Sequence, residues 1–314
     1  MTSAQPTLID MGNNVWLMDL YEQNRPYRTG GYLIEDEQLT LIETASAASH
    51  DTLIRGLAAR GYSPSDLAYV IVTHVHLDHA GGAGHLMEKA PNAKLVVHPR
   101  GARHMIDPTR LWEGAKQVYH ERTTELFGSI KPVPQEQILI KEHGETLTIG
   151  KRTLTFFDSP GHAKHHFTIL DPVLNALFAG DAIGVRYRRE FTNWDFEFVM
   201  PSSSPVDFDP DAVHRTLSFL KNQPFEWVYH THFGRSPKDE AIAHTNRVAD
   251  AFASVIANSY HPNVKVEEII NALQTWIIQD LTGRGLQPGA IEALDIDVVL
   301  DAMGLIYYYE HKQG

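Results

Sequence analysis

The chain has no cysteine among its 314 residues. That absence excludes disulfides, thiolate catalysis and every cysteine-based zinc site. Long apolar runs are missing too. None approaches the ~18 residues that span a bilayer, and Met1–Asp10 has neither a basic start nor an apolar stretch. A soluble, cytoplasmic protein with no leader and no membrane segment is therefore expected. Positive charge is scarce: 27 Lys and Arg stand against 39 Asp and Glu, a net charge of −12 with histidine neutral. Such a chain has no excess of cations to displace the counterions of a phosphate backbone, so broad nucleic-acid binding is not expected. Repeats of solenoid period and low-complexity tracts are also lacking.

What is present is ordinary for a folded protein, with 43% hydrophobic and 21% charged residues. At ~150 residues per domain the length predicts two structural units. Histidine is abundant, at 18. With no thiolates, any metal must be held by imidazole nitrogen and carboxylate oxygen.

The patterning alternates short strands with helices. Asn14–Leu20 reads as a strand, and Gly31–Ile34 with Leu39–Ile42 as a hairpin. A helix is predicted over His50–Arg60, closed by Gly61. Ala68–Thr73 is a continuous β-branched run, hence a buried strand, and Lys94–His98 reads the same way. Helical spacing between Thr109 and Phe127 is poorly defined. A second strand-rich block begins near Gln137, with a tight hairpin at Gly150-Lys151, short strands at Phe167–Leu170, Leu177–Ala179 and Trp227–His230, and a helix opened by Asp209-Pro210. Beyond Ser236 no convincing strand follows. Ile269, Ile270, Leu273, Trp276, Ile277 and Leu281 fall on one helical face. The expected division is a mixed domain over 1–236 and a helical extension over 237–314.

The most informative stretch is Thr73-His74-Val75-His76-Leu77-Asp78-His79-Ala80-Gly81-Gly82, directly after a buried strand. Side chains at i and i+2 of an extended segment point the same way, so His74 and His76 can share one ion. If the chain then turns, Asp78 and His79 project to a neighbouring point. The glycines at 81, 82 and 84 suit a sharp turn or a close backbone approach. Three more ligand-type residues sit in glycine-containing loops just past strands: His162 in Ser159-Pro160-Gly161-His162, Asp181 in Phe178-Ala179-Gly180-Asp181, and His232 in His230-Thr231-His232-Phe233-Gly234.

Taken in order, HxHxDH, then His, Asp and His over about residues 12–235 resembles the metallo-β-lactamase superfamily. Ser159–His166 (SPGHAKHH) resembles that family's TPGHTPGH signature. The resemblance implies an α+β fold, a four-layer αββα sandwich carrying a di-metal site at one edge, here with a C-terminal helical appendage. It implies that His74, His76 and His162 bind one metal, that Asp78, His79 and His232 bind a second, and that Asp181 bridges both, with His166 in a supporting place. Asp78 and Asp181 become the expected catalytic carboxylates. Where the family has a motif resembling LIDTG, this chain has Leu41-Ile42-Glu43-Thr44-Ala45. Glu43 is then either a residue that orients a ligand histidine or a plain strand-end charge. Between His230 and His232, Gly234 and the family's closing turn favour His232, leaving His230 structural. His98, His104, His120 and His165 are expected to be surface or core histidines.

With nitrogen and oxygen donors only, two divalent ions are expected, zinc first, with iron or manganese as alternatives. The leading function is hydrolysis of a small-molecule ester, thioester or lactone, in the branch resembling hydroxyacylglutathione hydrolases and lactonases. The alternatives are an iron-binding redox or oxygen-chemistry protein on the same fold, and a phosphodiesterase or nuclease. For Val185–Met200, rich in Arg and aromatics, two readings stand: a lid in which Arg186, Arg188 or Arg189 faces an anionic group, or a packed loop. The C-terminal helices are expected either to close over the site or to form a homodimer contact.

Overall fold

The structure is a computed structural model that describes residues 6–287 and 291–312. Residues 1–5, part of the stretch expected to hold no leader, and residues 288–290 and 313–314 of the helical extension lie outside the described residues. The described strands, in chain order, are β1 (Leu8–Gly12), β2 (Val15–Asp19), β3 (Gly30–Ile34), β4 (Thr40–Ile42), β5 (Tyr69–Ile71), β6 (Lys94–Val97), β7 (Ile138–Ile140), β8 (Thr146–Thr148), β9 (Thr153–Asp158), β10 (Phe167–Asp171), β11 (Ala176–Gly180), β12 (Val185–Tyr187), β13 (Phe198–Met200), β14 (Trp227–His230) and β15 (Gly234–Pro237).

Contacts group the chain into two units, one of residues 1–158, 165–180 and 224–235, the other of 159–164, 181–223 and 236–314. The sequence placed a single boundary at 236, whereas this grouping also assigns 159–164 and 181–223 to the unit that holds the C-terminal helices.

The first unit contains two sheets. One runs β1-β2-β3-β4-β5-β6-β7, antiparallel as far as β4 and parallel from β4 to β7. The other runs β15-β14-β11-β10-β9-β8, with β11 and β14 parallel. Alternation along each strand decides which core a residue enters. Leu17, Tyr32, Ile34, Ile42, Ile71 and Val96 face Phe156, Phe167, Ile169, Phe178 and Tyr229 of the second sheet. Their neighbours Met18, Leu33, Leu41, Val70 and Leu95 point the other way, onto Leu53 and Leu57 of the helix His50–Ala59 and Leu86 and Met87 of the helix Ala83–Lys89. Strands buried on both faces must be apolar throughout, which is why the β5 run shows no polar alternation. The helix His50–Ala59 ends on Gly61 at φ 84°, and Tyr62 N donates to Leu57 O over 3.0 Å.

The second unit holds the β12–β13 ribbon and four long helices, Pro210–Lys221, Lys238–Ser259, Val266–Thr282 and Asp295–Lys312. Asp209 caps the first, its Oδ1 accepting from Ala212 N over 3.2 Å. In Val266–Thr282 the buried stripe is Ile269, Leu273, Ile277 and Leu281, while Ile270 and Trp276 are only half-buried. Among the described residues after Pro237 there is no strand. The ill-defined stretch 109–127 is a helix over Thr109–Tyr119, a 3₁₀ turn over His120–Arg122 and a short helix over Thr123–Phe127.

The core between the two sheets is what holds their strand ends in register. Phe156 is fully buried there and packs edge-on against Phe167, ring centroids 4.9 Å apart. Phe156→Ala is expected to lower unfolding stability by about 3–5 kcal/mol, read as a shift of the urea midpoint at unchanged slope. A change below ~1 kcal/mol would mean that this core does not carry the sandwich.

Candidate metal centre

Parallel strands deliver their following loops to one edge of a sheet, and the chemistry-bearing residues of the first unit follow β4, β5 and β14. Past β5 the chain bends at Thr73, His74 and His76, then winds into one helical turn, Leu77–Ala80. His74 Nε2 lies 3.0 Å from His76 Nδ1. The turn swings Asp78 and His79 to a second point, where His232 arrives from the end of β14. His232 Nε2 is 3.2 Å from His79 Nε2 and 3.4 Å from Asp78 Oδ2, and Asp78 Oδ2 is 3.8 Å from His79 Nε2. Asp78, His79 and His232 thus bring one donor atom each within 4.8 Å of one another, the spacing of a shared metal ion.

The partners behind these rings set their protons. His79 Nδ1 faces the Glu43 carboxylate, 3.2 Å from Oε2. His232 Nδ1 is 2.9 Å from the Arg28 carbonyl and 3.1 Å from Thr29 Oγ1. A carbonyl can only accept, so the His232 ring carries a proton on Nδ1 and turns Nε2 inward, while His79 sets Nδ1 against the Glu43 carboxylate as an ion-pair contact and likewise turns Nε2 inward. Two ring nitrogens and a carboxylate oxygen then face one another at 3.2–3.8 Å. One shared proton would serve only two of the three donors, whereas a divalent cation serves all three. This N₂O donor set fits such a cation.

Glu43 therefore lies directly behind His79. It is fully buried, its Oε1 accepts from Thr73 N over 3.0 Å, and its backbone is left-handed at φ 72°. A non-glycine residue held there costs on the order of 1–3 kcal/mol, a strain typical of functional loops. Behind His74, Thr73 Oγ1 is 3.1 Å from Nδ1 and the buried His166 ring stacks at 4.8 Å. Gly180 (φ 50°) leaves room for this pair, since a Cβ there would stand 2.5 Å from His166 Nε2 and from Thr73 Oγ1.

The glycines after the HxHxDH turn serve by their size. Gly81 and Gly82 have negative φ, and a Cβ on Gly82 would lie 2.9 Å from the Thr44 carbonyl. They admit the Thr44–Ser46 segment rather than supply a left-handed turn. His230 is fully buried and its carbonyl accepts from Tyr32 Oη over 2.5 Å, whereas His232 is the ring that reaches His79. His98 caps the helix Pro99–Ile106 and bonds Asp158 Oδ1 at 2.9 Å.

In the second unit, His162 and Asp181 are both buried and face each other, His162 Nε2 lying 3.6 Å from Asp181 Oδ2. His162 Nδ1 donates to the Ser202 carbonyl over 2.8 Å, which turns Nε2 toward the Asp181 carboxylate. The Arg-rich segment is a packed ribbon. Arg186 pairs with Glu197, Arg188 with both oxygens of Glu190 at 2.7 and 3.0 Å, and Tyr187 Oη donates to Asp297 over 2.9 Å. Arg186 and Arg188 thus spend their charge on carboxylates of their own segment, and Arg189 is exposed.

Sequence reasoning did not reach Glu22. Its buried carboxyl accepts from Ser46 N and Ser49 Oγ, each at 3.0 Å, and burial together with the charge of Asp78 pushes its pKa up. No motif marks it. The Arg28 carbonyl behind His232 is equally silent, because a backbone acceptor leaves no residue signature.

With the geometry in view, comparison with known proteins is informative. Residues 31–232 match the Metallo-beta-lactamase superfamily. The chain is 30% identical to the rubredoxin-oxygen oxidoreductase of Megalodesulfovibrio gigas over 41% of its own length and 26% of that protein. It is 24% identical to the hydroxyacylglutathione hydrolase of Rhodopseudomonas palustris (49% and 47% covered), and 25% identical to the acyl-coenzyme A thioesterase MBLAC2 of Bos taurus (73% and 76%). The chain thus spans about a quarter of the first relative's length and about half of the second's. Among solved structures, the metallo-beta-lactamase family protein TTHA1429 of Thermus thermophilus superposes with a TM-score of 0.69 at 18% identity, over 97% of this chain and 95% of that one. At that identity the likeness shows the fold, an α/β sandwich of mixed sheets and helices. No helix of the described residues is long and apolar enough to cross a membrane.

The orienting carboxylate gives the clearest test of this centre. Glu43→Ala is expected to weaken divalent-metal binding by about 10- to 100-fold, measured as the competition constant against a chromophoric chelator. Unchanged affinity would make Glu43 a bystander.

Proposed function

The chain belongs to the Metallo-beta-lactamase superfamily, and from that premise we propose that it is a two-metal hydrolase of small-molecule esters, thioesters or lactones. In this reading His74, His76 and His162 would hold one ion, Asp78, His79 and His232 the other, and Asp181 would serve both. The observation that carries this reading is the pair of Nε2 atoms on His79 and His232, 3.2 Å apart beside Asp78. Zinc is the assigned ion, since imidazole and carboxylate donors suit it and it has no geometric preference to violate. When bound, the ions supply a Lewis acid that makes hydroxide available near neutral pH and stabilises the oxyanion of an attacked carbonyl.

The residues around the ions do the remaining work. Glu43, Thr29 and the Arg28 and Ser202 carbonyls keep the ligand rings in one tautomer. Asp78 is partly open, its side chain 28% exposed. In this reading it would take the proton of the attacking water and pass it to the leaving oxygen or sulfur as the acyl bond breaks. The thioester class is supported by the similarity to the acyl-coenzyme A thioesterase MBLAC2, which extends over 73% of this chain and 76% of that protein.

A second reading is iron held by the same ligands for redox chemistry with a separate electron-transfer partner. It is favoured by the 30% identity to an oxidoreductase. Elemental analysis of purified protein, combined with thioester, lactone, phosphodiester and β-lactam substrates, separates the two. The expected result is about two zinc ions per chain and turnover of an ester, thioester or lactone, abolished in Asp181→Ala and His76→Ala. Coloured protein with iron and no hydrolysis would favour the redox reading, and full turnover by either variant would refute the mechanism.

A further inference from the structure

In the second unit one short segment grips His162 twice. The Ser202 carbonyl accepts the ring proton of Nδ1 over 2.8 Å, and Ser204 Oγ donates to the His162 carbonyl over 2.7 Å. Between these two serines lies Ser203, which does not touch His162 but is tied to the helix Asp295–Lys312. Asp301 Oδ1 accepts from both Ser203 N and Ser203 Oγ, each at 2.7 Å, and Ser203 Oγ lies 3.3 Å from the Asp301 carbonyl. The helix can come this close because residue 304 is glycine, where a Cβ would overlap the Ser203 carbonyl. One turn earlier on the same face, Asp297 accepts from Tyr187 in the ribbon that follows Asp181.

We propose that Asp301 is a positioning residue for the metal centre, acting through Ser203 to fix the Ser202 carbonyl that holds His162 in its ligand tautomer. The inference rests on the assignment of His162 as a ligand. The carboxyl is fully enclosed, and burial pushes its pKa up to about 8, so at pH 7 it is held largely as the neutral acid. A neutral acid at this place keeps the two acceptor contacts of Oδ1 without placing a second anion beside Asp181. The substitution Asp301→Asn would preserve both that neutrality and the shape of the side chain. A carboxyl kept in the core of a helical unit at the cost of desolvation, with Oδ2 meeting no partner among the described residues, is poorly explained as a stability device alone.

The test uses full-length, ¹⁵N-histidine-labelled protein, first stripped of metal and then titrated with zinc. Long-range ¹H–¹⁵N correlation spectra report which nitrogen of His162 carries the proton, the signal being assigned with His162→Asn. In wild-type protein the Nδ1–H form is expected. In Asp301→Val and, more mildly, Ser203→Ala, a mixture of tautomers is expected, with zinc affinity weakened by about 10- to 100-fold for the first variant. Asp301→Asn restores both readouts, which general destabilisation would not produce. A folded Asp301→Val with the wild-type His162 signal and zinc affinity overturns the inference. If that variant does not fold, wild-type values for Ser203→Ala overturn it equally. A wild-type chain that takes up no zinc sinks the hydrolase reading instead, and the tautomer comparison in metal-free protein still decides the role of Asp301.

Discussion

Two imidazole nitrogens and a carboxylate oxygen drawn within 3.2–3.8 Å of one another call for a shared positive charge, and the candidate centre is arranged around that constraint. His79 and His232 come from positions 153 residues apart, one on a single helical turn after β5 and the other past the end of β14. Each is backed by an acceptor that has no proton to give. The cluster's polarity is therefore set from behind, by Glu43 and by a main-chain carbonyl, as much as by the donors themselves.

The sandwich explains how such a cluster survives. Its two sheets bury a layer of large side chains between them, and strands that are apolar on both faces cannot slip register without exposing whole rows. The ends of those strands are consequently rigid, and short loops leaving them inherit that rigidity. Strain is tolerated at the same edge, where Glu43 and Ala45 both hold left-handed backbones. The glycines at 81 and 82 remove side-chain bulk where the Thr44–Ser46 segment passes, which lets the helical turn carrying Asp78 and His79 sit against it.

Much of this was legible in the sequence, for identifiable reasons. The β-branched run Ala68–Thr73 reads as a buried strand, of which Tyr69–Ile71 forms β5, and ligand-type residues clustered after it follow a pattern that few other uses of histidine produce. His162, Asp181 and His232 were legible because each sits in a glycine-bearing loop just past a strand. The role of Glu43 was open, since a strand-end carboxylate and a histidine-orienting one look alike until the strand order puts β4 beside β5. Ser202, Ser203 and Asp301 were not legible at all. A carbonyl has no letter of its own, and an acid in a helix among Asp295 and Asp297 reads as part of a solvated face. The Arg-rich segment was ambiguous for the opposite reason: it carries enough Glu to satisfy its own guanidinium groups, and only coordinates reveal that pairing.

The most direct measurement is diffraction from zinc-soaked crystals, with data collected on both sides of the zinc absorption edge. The account predicts an anomalous peak enclosed by Asp78 Oδ2, His79 Nε2 and His232 Nε2, about 2.0–2.2 Å from each. A map with no peak among these three atoms, the two rings still in contact and bridged by a proton, would contradict it.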